Sequence, residues 1–172
     1  LGYMAREGGE NLRRAAHEVA QRYLPDAGVR LFDVQHEMPN AWQRFQAAPG
    51  PYEGADKTRA LELQLGRNLF AFLPGDRDVT VTRLGLLFEV PGAEPSMHVP
   101  VELVTDPGAS DCVVETIECV ASEEWPGFYH GVIEVTVGPL VQGEPRALGT
   151  LRFPSGLQEI VRLFLVCGYR AG

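Results

Sequence analysis

The sequence predicts a mainly β domain, an antiparallel two-sheet β-sandwich preceded by one amphipathic α-helix. Three observations carry this expectation. Apolar and polar residues alternate with the period of two that marks half-buried strands, as in Leu61, Leu63 and Leu65 around Glu62 and Gln64. Clusters of Pro, Gly and Asp separate such segments along the chain. Apolar side chains repeat at three- and four-residue spacing over residues 10–24, and near the end Leu157, Ile160, Val161 and Phe164 fit a helix while Leu163, Leu165, Cys167 and Tyr169 fit a strand. Strands joined by Pro/Gly turns therefore outnumber helices, and a parallel α/β sheet is not indicated.

The elements follow in chain order. Gly8-Gly9 ends a short leader. Leu12, Ala15, Ala16, Val19, Ala20 and Tyr23 then form the apolar stripe of a helix that stops at Pro25 and the Asp26-Ala27-Gly28 turn. Residues 29–35 read as a strand closing at Met38-Pro39-Asn40. Residues 41–45 form a helical turn stapled to the sheets by Trp42 and Phe45, and 47–56 form a loop with two prolines and two glycines. The strand 61–65 leads through Pro74-Gly75-Asp76, read as hairpin chemistry, into a strand that begins with Val79 and Val81. That strand changes phase, since Leu84, Leu86, Phe88 and Val90 are even-numbered. A bulge near Arg83 or a switch of sheets accounts for the change.

After Pro91-Gly92-Ala93-Glu94-Pro95, Val99, Val101 and Leu103 alternate, and Pro100 suggests an edge strand. Residues 112–121, the alternation of Ile133, Val135 and Val137, and residues 147–153 supply three more strands, with Leu151 and Phe153 inward and Arg152 outward. The last segment is read as a short helical turn followed by a buried final strand. The organisation is therefore a leader and helix over 1–25 and a β-sandwich over 29–172, without internal repeats.

Composition narrows the function. A formal net charge of -8 with a single lysine, Lys57, argues against nucleic acid or an anionic membrane as partner, since both reward clustered cations. Arginines cluster near the start, at Arg13, Arg14, Arg22 and Arg30, and are read as the wet face of a helix. Cys112, Cys119 and Cys167 lack metal-ligand spacing and are read as small buried hydrophobes in a reducing compartment. No apolar run approaches the ~18 residues of a membrane span. The chain opens on Leu1, and the expectation is a piece of a longer protein whose localisation the sequence leaves unknown.

No arrangement for catalysis stands out, and no cofactor or metal is expected. The signatures of a nucleophile elbow or of SxxK are missing, and His17, His36, His98 and His130 are scattered. Glu115 with Glu118, and Glu123 with Glu124, are the only acid pairs weighed for glycoside chemistry, and both are read as solvated surface. Asp76-Arg77-Asp78 is too short of oxygen ligands for a calcium loop. The local feature closest to a binding surface is Trp125-Pro126-Gly127-Phe128-Tyr129-His130, where three aromatics crowd one turn. Trp125, Phe128, Tyr129 and His130, with Arg77 from the earlier turn, form the candidate partner-binding set. The competing reading makes Trp125 and Phe128 a cap on the core.

The order of these pieces resembles the C-terminal, B-component-binding region of the A component of insecticidal toxin complexes. The resemblance runs over roughly residues 10–170 and rests on RLFDVQHEMPNAWQRF, LELQLGRNLFAFLPGD, VTRLGLLFEVPG and LGTLRFPSGLQEIVRLFLVCGYR. Leu69-Phe70, Pro74-Gly75, Arg83, Pro91 and Phe153-Pro154 occupy the family's LF pair, PG turn, Arg-bearing strand, closing Pro and Phe-Pro step. LPGDR stands where the family has YPGHY, and the GPY step after the Arg-bearing strand is missing. The resemblance implies a β-sandwich at the end of a large homopentameric chain of bacterial origin, made in the cytoplasm and exported in a complex. Its surface would dock a B-component β-propeller so that cargo passes into a translocation channel, with no catalytic residue implied. The first functional expectation is therefore a non-enzymatic assembly domain. A carbohydrate-binding β-sandwich, using the same aromatics to stack on sugars, is the alternative, and a hydrolase with carboxylates gathered by folding is a weaker third.

Overall fold

The computed structural model describes residues 27–47, 59–73, 77–92, 94–105, 113–143, 146–154, 157 and 159–172. The expected helix over 10–24, Cys112, His17 and the Pro74-Gly75-Asp76 turn lie outside the described residues.

Eight strands dominate: β1 Ala27–Asp33, β2 Arg59–Leu65, β3 Val79–Glu89, β4 Val99–Thr105, β5 Val113–Ala121, β6 Phe128–Leu140, β7 Arg146–Phe153 and β8 Arg162–Ala171. They pair in the order β1-β8-β3-β6-β5-β4-β7-β2. The first strand lies beside the last, the second beside the seventh, the third beside the sixth and the fourth beside the fifth, all antiparallel. This nesting is the strand order of a jelly roll. The expected sandwich needs a correction in one respect. The two halves remain joined where Val120 pairs with His130 and Ala121 with Tyr129, so the molecule is one curled antiparallel sheet, a half-barrel rather than two clear sheets.

The join is tight because of Gly131. A Cβ there would lie 2.7 Å from the Glu118 carbonyl oxygen, 2.8 Å from Cys119 Sγ and 2.9 Å from Ile117 Cγ2. Only a residue without a side chain lets β5 cross β6 this closely before the two strands diverge.

Two short helices bridge the free edges of the half-barrel, β1 and β2. In α1, Val34–Glu37, the Asp33 carboxylate accepts from the Gln35 amide at 3.1 Å, which turns the chain out of the strand that the sequence pattern carried on to residue 35. In α2, Pro39–Ala47, Trp42 and Phe45 are buried. Their spacing gave the correct face, and the staple is an aromatic series. The rings of Trp42 and Phe45 lie 5.6 Å apart, Phe45 and Phe153 5.4 Å, Phe153 and Phe88 5.4 Å, and Phe88 and Tyr129 5.7 Å. One series therefore ties α2 to β7, β3 and β6, through the middle of a core completed by Leu61, Leu63, Leu84, Leu103, Ile117 and Leu165.

The phase change in β3 is a bulge. Its pairing with both neighbours shifts between Val81 and Arg83, and this turns Val81 and Leu84 to the same inner face. The expected hairpin across Pro74-Gly75 does not form: β2 pairs with β7, whereas β3 pairs with β6 and β8 in the other half. The connection instead crosses between the halves through a 3-10 turn, Arg67–Phe70. There the Arg67 guanidinium, 6% exposed, donates to the carbonyl oxygens of Phe70 at 2.7 Å, Leu73 at 3.3 Å and Arg77 at 3.3 Å.

Two further expectations change. β4 is an interior strand, paired with β5 along its length and with β7 over Glu102–Val104. Pro100 is tolerated because it lies beyond the reach of β7, where its missing N–H has no ladder to serve. The described residues between β7 and β8 contain no helical turn. Ile160 is buried, and the Val161 amide bonds the Glu89 carbonyl at 3.1 Å, which leads the chain straight into β8.

Candidate interaction surface

The two halves of the curled sheet arrange their outward residues differently. On the half made by β5, β4, β7 and β2 the outward face is mostly polar, with Glu62, Gln64, Glu102, Arg152, Thr116 and Glu118, and its exposed valines, Val114 and Val120, are separated along β5 by Thr116 and Glu118. On the half made by β1, β8, β3 and β6 the apolar residues gather in a band across the strands, and charged residues, among them Arg83, Glu134, Arg162 and Arg170, lie to either side of it. One row across the strands runs Leu31, Val166, Gly85, Val132, and the next runs Asp33, Phe164, Leu87, His130. Val29 is 69% exposed, Leu31 54% and Val132 58%, while Leu87, Phe164 and Val166 are half-buried. With strands about 4.8 Å apart, this band is roughly 14 Å wide. Ion pairs border it: Arg83 with Glu134 at 2.8 Å on one side and Arg162 with Glu89 at 3.5 Å on the other.

The residues singled out from sequence separate into three groups. Phe128 and His130 point outward from β6 and continue the apolar band, His130 beside Leu87 and beside Val120, which is 37% exposed. Trp125, 54% exposed, extends the same border from the turn, which is held by Phe128 N–H to Trp125 O at 3.0 Å and Ser122 N–H to Phe128 O at 2.7 Å. Tyr129 points the other way. Its ring is 1% exposed, stacks on Phe88 and donates its hydroxyl to the Glu94 carbonyl at 2.8 Å, and burial with the nearby Glu94 charge pushes the phenol pKa up. Strand alternation makes this unavoidable, because neighbours 128, 129 and 130 cannot share a face. Arg77 lies beyond the Val79 end of β3, while Phe128 pairs at the Glu89 end. About 3.3 Å per residue over that strand puts Arg77 roughly 30 Å from the aromatic turn.

The remaining chemistry does not gather. Glu115 faces inward on β5 and Glu118 outward, and Glu123 and Glu124 are exposed in the turn. His36 bonds Asp33 at 2.8 Å on α1, His98 is exposed before β4, and His130 lies on the outer face. A cleft between α1, α2 and β2 holds Glu37 and Glu62, but each carboxylate is engaged, by Arg30 at 2.7 Å and by Arg44 at 3.1 Å. No group of three His, Cys, Asp or Glu able to hold a metal occurs among the described residues. No helix among them is long and apolar enough to cross a membrane.

Cys119 and Cys167 are free, buried thiols whose pKa values are pushed up to about 12, chiefly by burial. Well below pH 9, the ordinary thiol value, the thiols are protonated folded or unfolded. Between pH 9 and 12 the unfolded chain ionises and the folded one does not, so stability falls as pH rises. The loss expected by pH 11 is on the order of 2 kcal/mol per thiol. Urea unfolding followed from pH 8 to 11 should show this slope, and the Cys119→Ala/Cys167→Ala variant should flatten it.

Sequence reasoning missed the apolar band itself. Its signal lay in strands that are apolar on both sides, as in Leu163 to Cys167, where alternation fails; a run of that kind ordinarily marks a strand covered on both faces. Comparisons with protein-family models, with curated proteins and with solved structures found no match.

Proposed function

We propose that this chain is a non-enzymatic assembly domain that binds another protein through the outer face of β1, β8, β3 and β6. One observation carries the reading: a contiguous apolar band crosses four strands and stands open to solvent, while the exposed apolar residues of the other half, Val114 and Val120, are isolated from each other. Antiparallel sheets that meet water on one side place polar residues there, and a contiguous exposed apolar patch with a polar rim is the physical signature of an interface. Val166, Phe164 and Leu87 form its middle, the more exposed Val29, Leu31 and Val132 its two ends, and Phe128 and His130 continue it toward the Trp125 turn. Arg83–Glu134 and Arg162–Glu89 supply the charged rim.

The toxin-complex resemblance names a partner for this surface, a B-component β-propeller. Size-exclusion chromatography with light scattering, on the chain alone and mixed with the B-type component from its own genomic neighbourhood, tests it. A stoichiometric complex is the expected outcome; two species eluting independently would remove that partner. Carbohydrate binding is the second reading, favoured by the exposed ring of Trp125. Because Trp42 is buried, a sugar stacking on Trp125 would alter the exposed component of tryptophan fluorescence, and an unchanged spectrum across a glycan panel removes that reading.

A further inference from the structure

We infer a second interaction site, beside the apolar face: the seam between β5 and β6 takes an extended strand of a partner protein, one with alternate apolar side chains and a Lys or Arg on the same side. β6 runs from Phe128 to Leu140 and pairs with β3 along that length, yet β5 accompanies it only at His130 and Tyr129. Past Gly131 the strands diverge. From Val132 to Val137, therefore, the second edge of β6 faces no strand among the described residues. An edge of this kind carries backbone N–H and C=O groups that another strand satisfies and a helix does not.

The side chains around the seam specify the occupant further. Ile133, Val135 and Val137 point toward the core but stay half-buried, and across the opening Val113 and Val114 are 53% and 52% exposed. Val135, Val137, Val113, Glu115, Glu134 and Arg170 line a groove of about 520 Å³, in which two carboxylates face one guanidinium. An added strand would place every second side chain against Val135 and Val137. Glu134 is engaged by Arg83, at 2.8 Å. Glu115 differs: it is half-buried on the inner side of β5 and makes no hydrogen bond or ion pair with the described residues. A cation on the inward side of the incoming strand would pair with it. A second copy of this chain would instead bring Glu115 and Glu134 against their own counterparts, so like charges disfavour it.

The test uses the whole chain and two acetylated, amidated peptides, Thr-Val-Thr-Val-Thr-Lys-Thr and the same sequence with Glu in place of Lys. Hydrogen exchange should show amides in 132–137 slowing about tenfold or more at saturating Lys peptide, since added ladder bonds protect edge amides. Glu115→Lys should weaken the Lys peptide about tenfold and strengthen the Glu peptide, a swap of preference that an unfolded variant would not show. Unchanged exchange in 132–137, or equal binding of both peptides to the wild-type chain, would overturn the proposal. Protection of those amides that rises with protein concentration without peptide would overturn it in favour of a second copy. Val132 and Glu134 border both sites, so the peptide measurements are repeated on Leu31→Asp, which alters the apolar face on β1 and leaves β6 unchanged. Peptide protection kept in that variant belongs to the seam, and its loss there would overturn the seam in favour of the apolar face.

Discussion

Phe153→Ala is expected to cost the domain about 3–5 kcal/mol, the cost of emptying a large aromatic site in a packed core. Phe153 is 1% exposed and joins the two halves of the aromatic series, with Phe45 of α2 at 5.4 Å on one side and Phe88 of β3 at 5.4 Å on the other. Removing it leaves a void that Phe45 cannot fill, since α2 is also held by Gln46 donating to the Ile160 carbonyl at 2.8 Å. Urea unfolding should show a lower midpoint at an unchanged slope. Trp42→Ala provides the comparison, because Trp42 lies at the outer end of the series, with Phe45 its one ring partner there. Its loss should be smaller than that of Phe153.

Gly131→Ala is expected to cost about 2–3 kcal/mol, the range for forcing extra volume into a closed space. The added methyl would meet the Glu118 carbonyl oxygen at 2.7 Å, and because that atom is backbone, relief requires β5 to move off β6. Gly92→Ala separates crowding from backbone conformation. Gly92 has φ of +72° with nothing within 4 Å of an added Cβ, so only the left-handed conformation opposes the change, at about 1 kcal/mol. Thermal melts of the two variants should therefore differ, Gly131→Ala being lower. Equal melting temperatures would mean that the crossing of β5 over β6 is not sterically tight.

These two residues also show how far the sequence could be read. Alternation identified Leu61 to Leu65, Leu84 to Phe88, Val99 to Leu103 and Leu151 with Phe153 as inward rows, because one methylene-rich face per strand is a local property. The bulge in β3 was equally local, since a phase change leaves its mark on the residues themselves. Pairing is not local. Leu61 and Val79 looked like the two arms of one hairpin, yet each found its partner elsewhere, Leu61 opposite Leu151 and Val79 opposite Leu140. Nothing in residues 59–90 states that preference. The single curled sheet depends in the same way on Gly131 tolerating a crossing strand, which a lone glycine in an alternating run does not announce.

The candidate surface was legible only at its border. Aromatic density drew attention to Trp125, Phe128, Tyr129 and His130; Phe128 and His130 reach the outer face, Trp125 stands exposed in the turn, and Tyr129 joins the core. Density reports composition and strand geometry decides direction. The apolar band itself was illegible for a further reason: Val29 and Leu31 come from the beginning of the described chain, Val132 from β6, and Phe164 and Val166 from β8, and only strand pairing makes them neighbours.

The most direct test of the central claim is the affinity of the B-type component for the wild-type chain and for Leu31→Asp/Val132→Asp. Both residues are more than half exposed, so the variant should melt within a few degrees of wild type. Two charges placed at the two ends of the same apolar row should weaken capture by about tenfold or more. Capture by the folded variant at the wild-type affinity would contradict the account and show that the apolar face of β1, β8, β3 and β6 is not where this domain meets its partner.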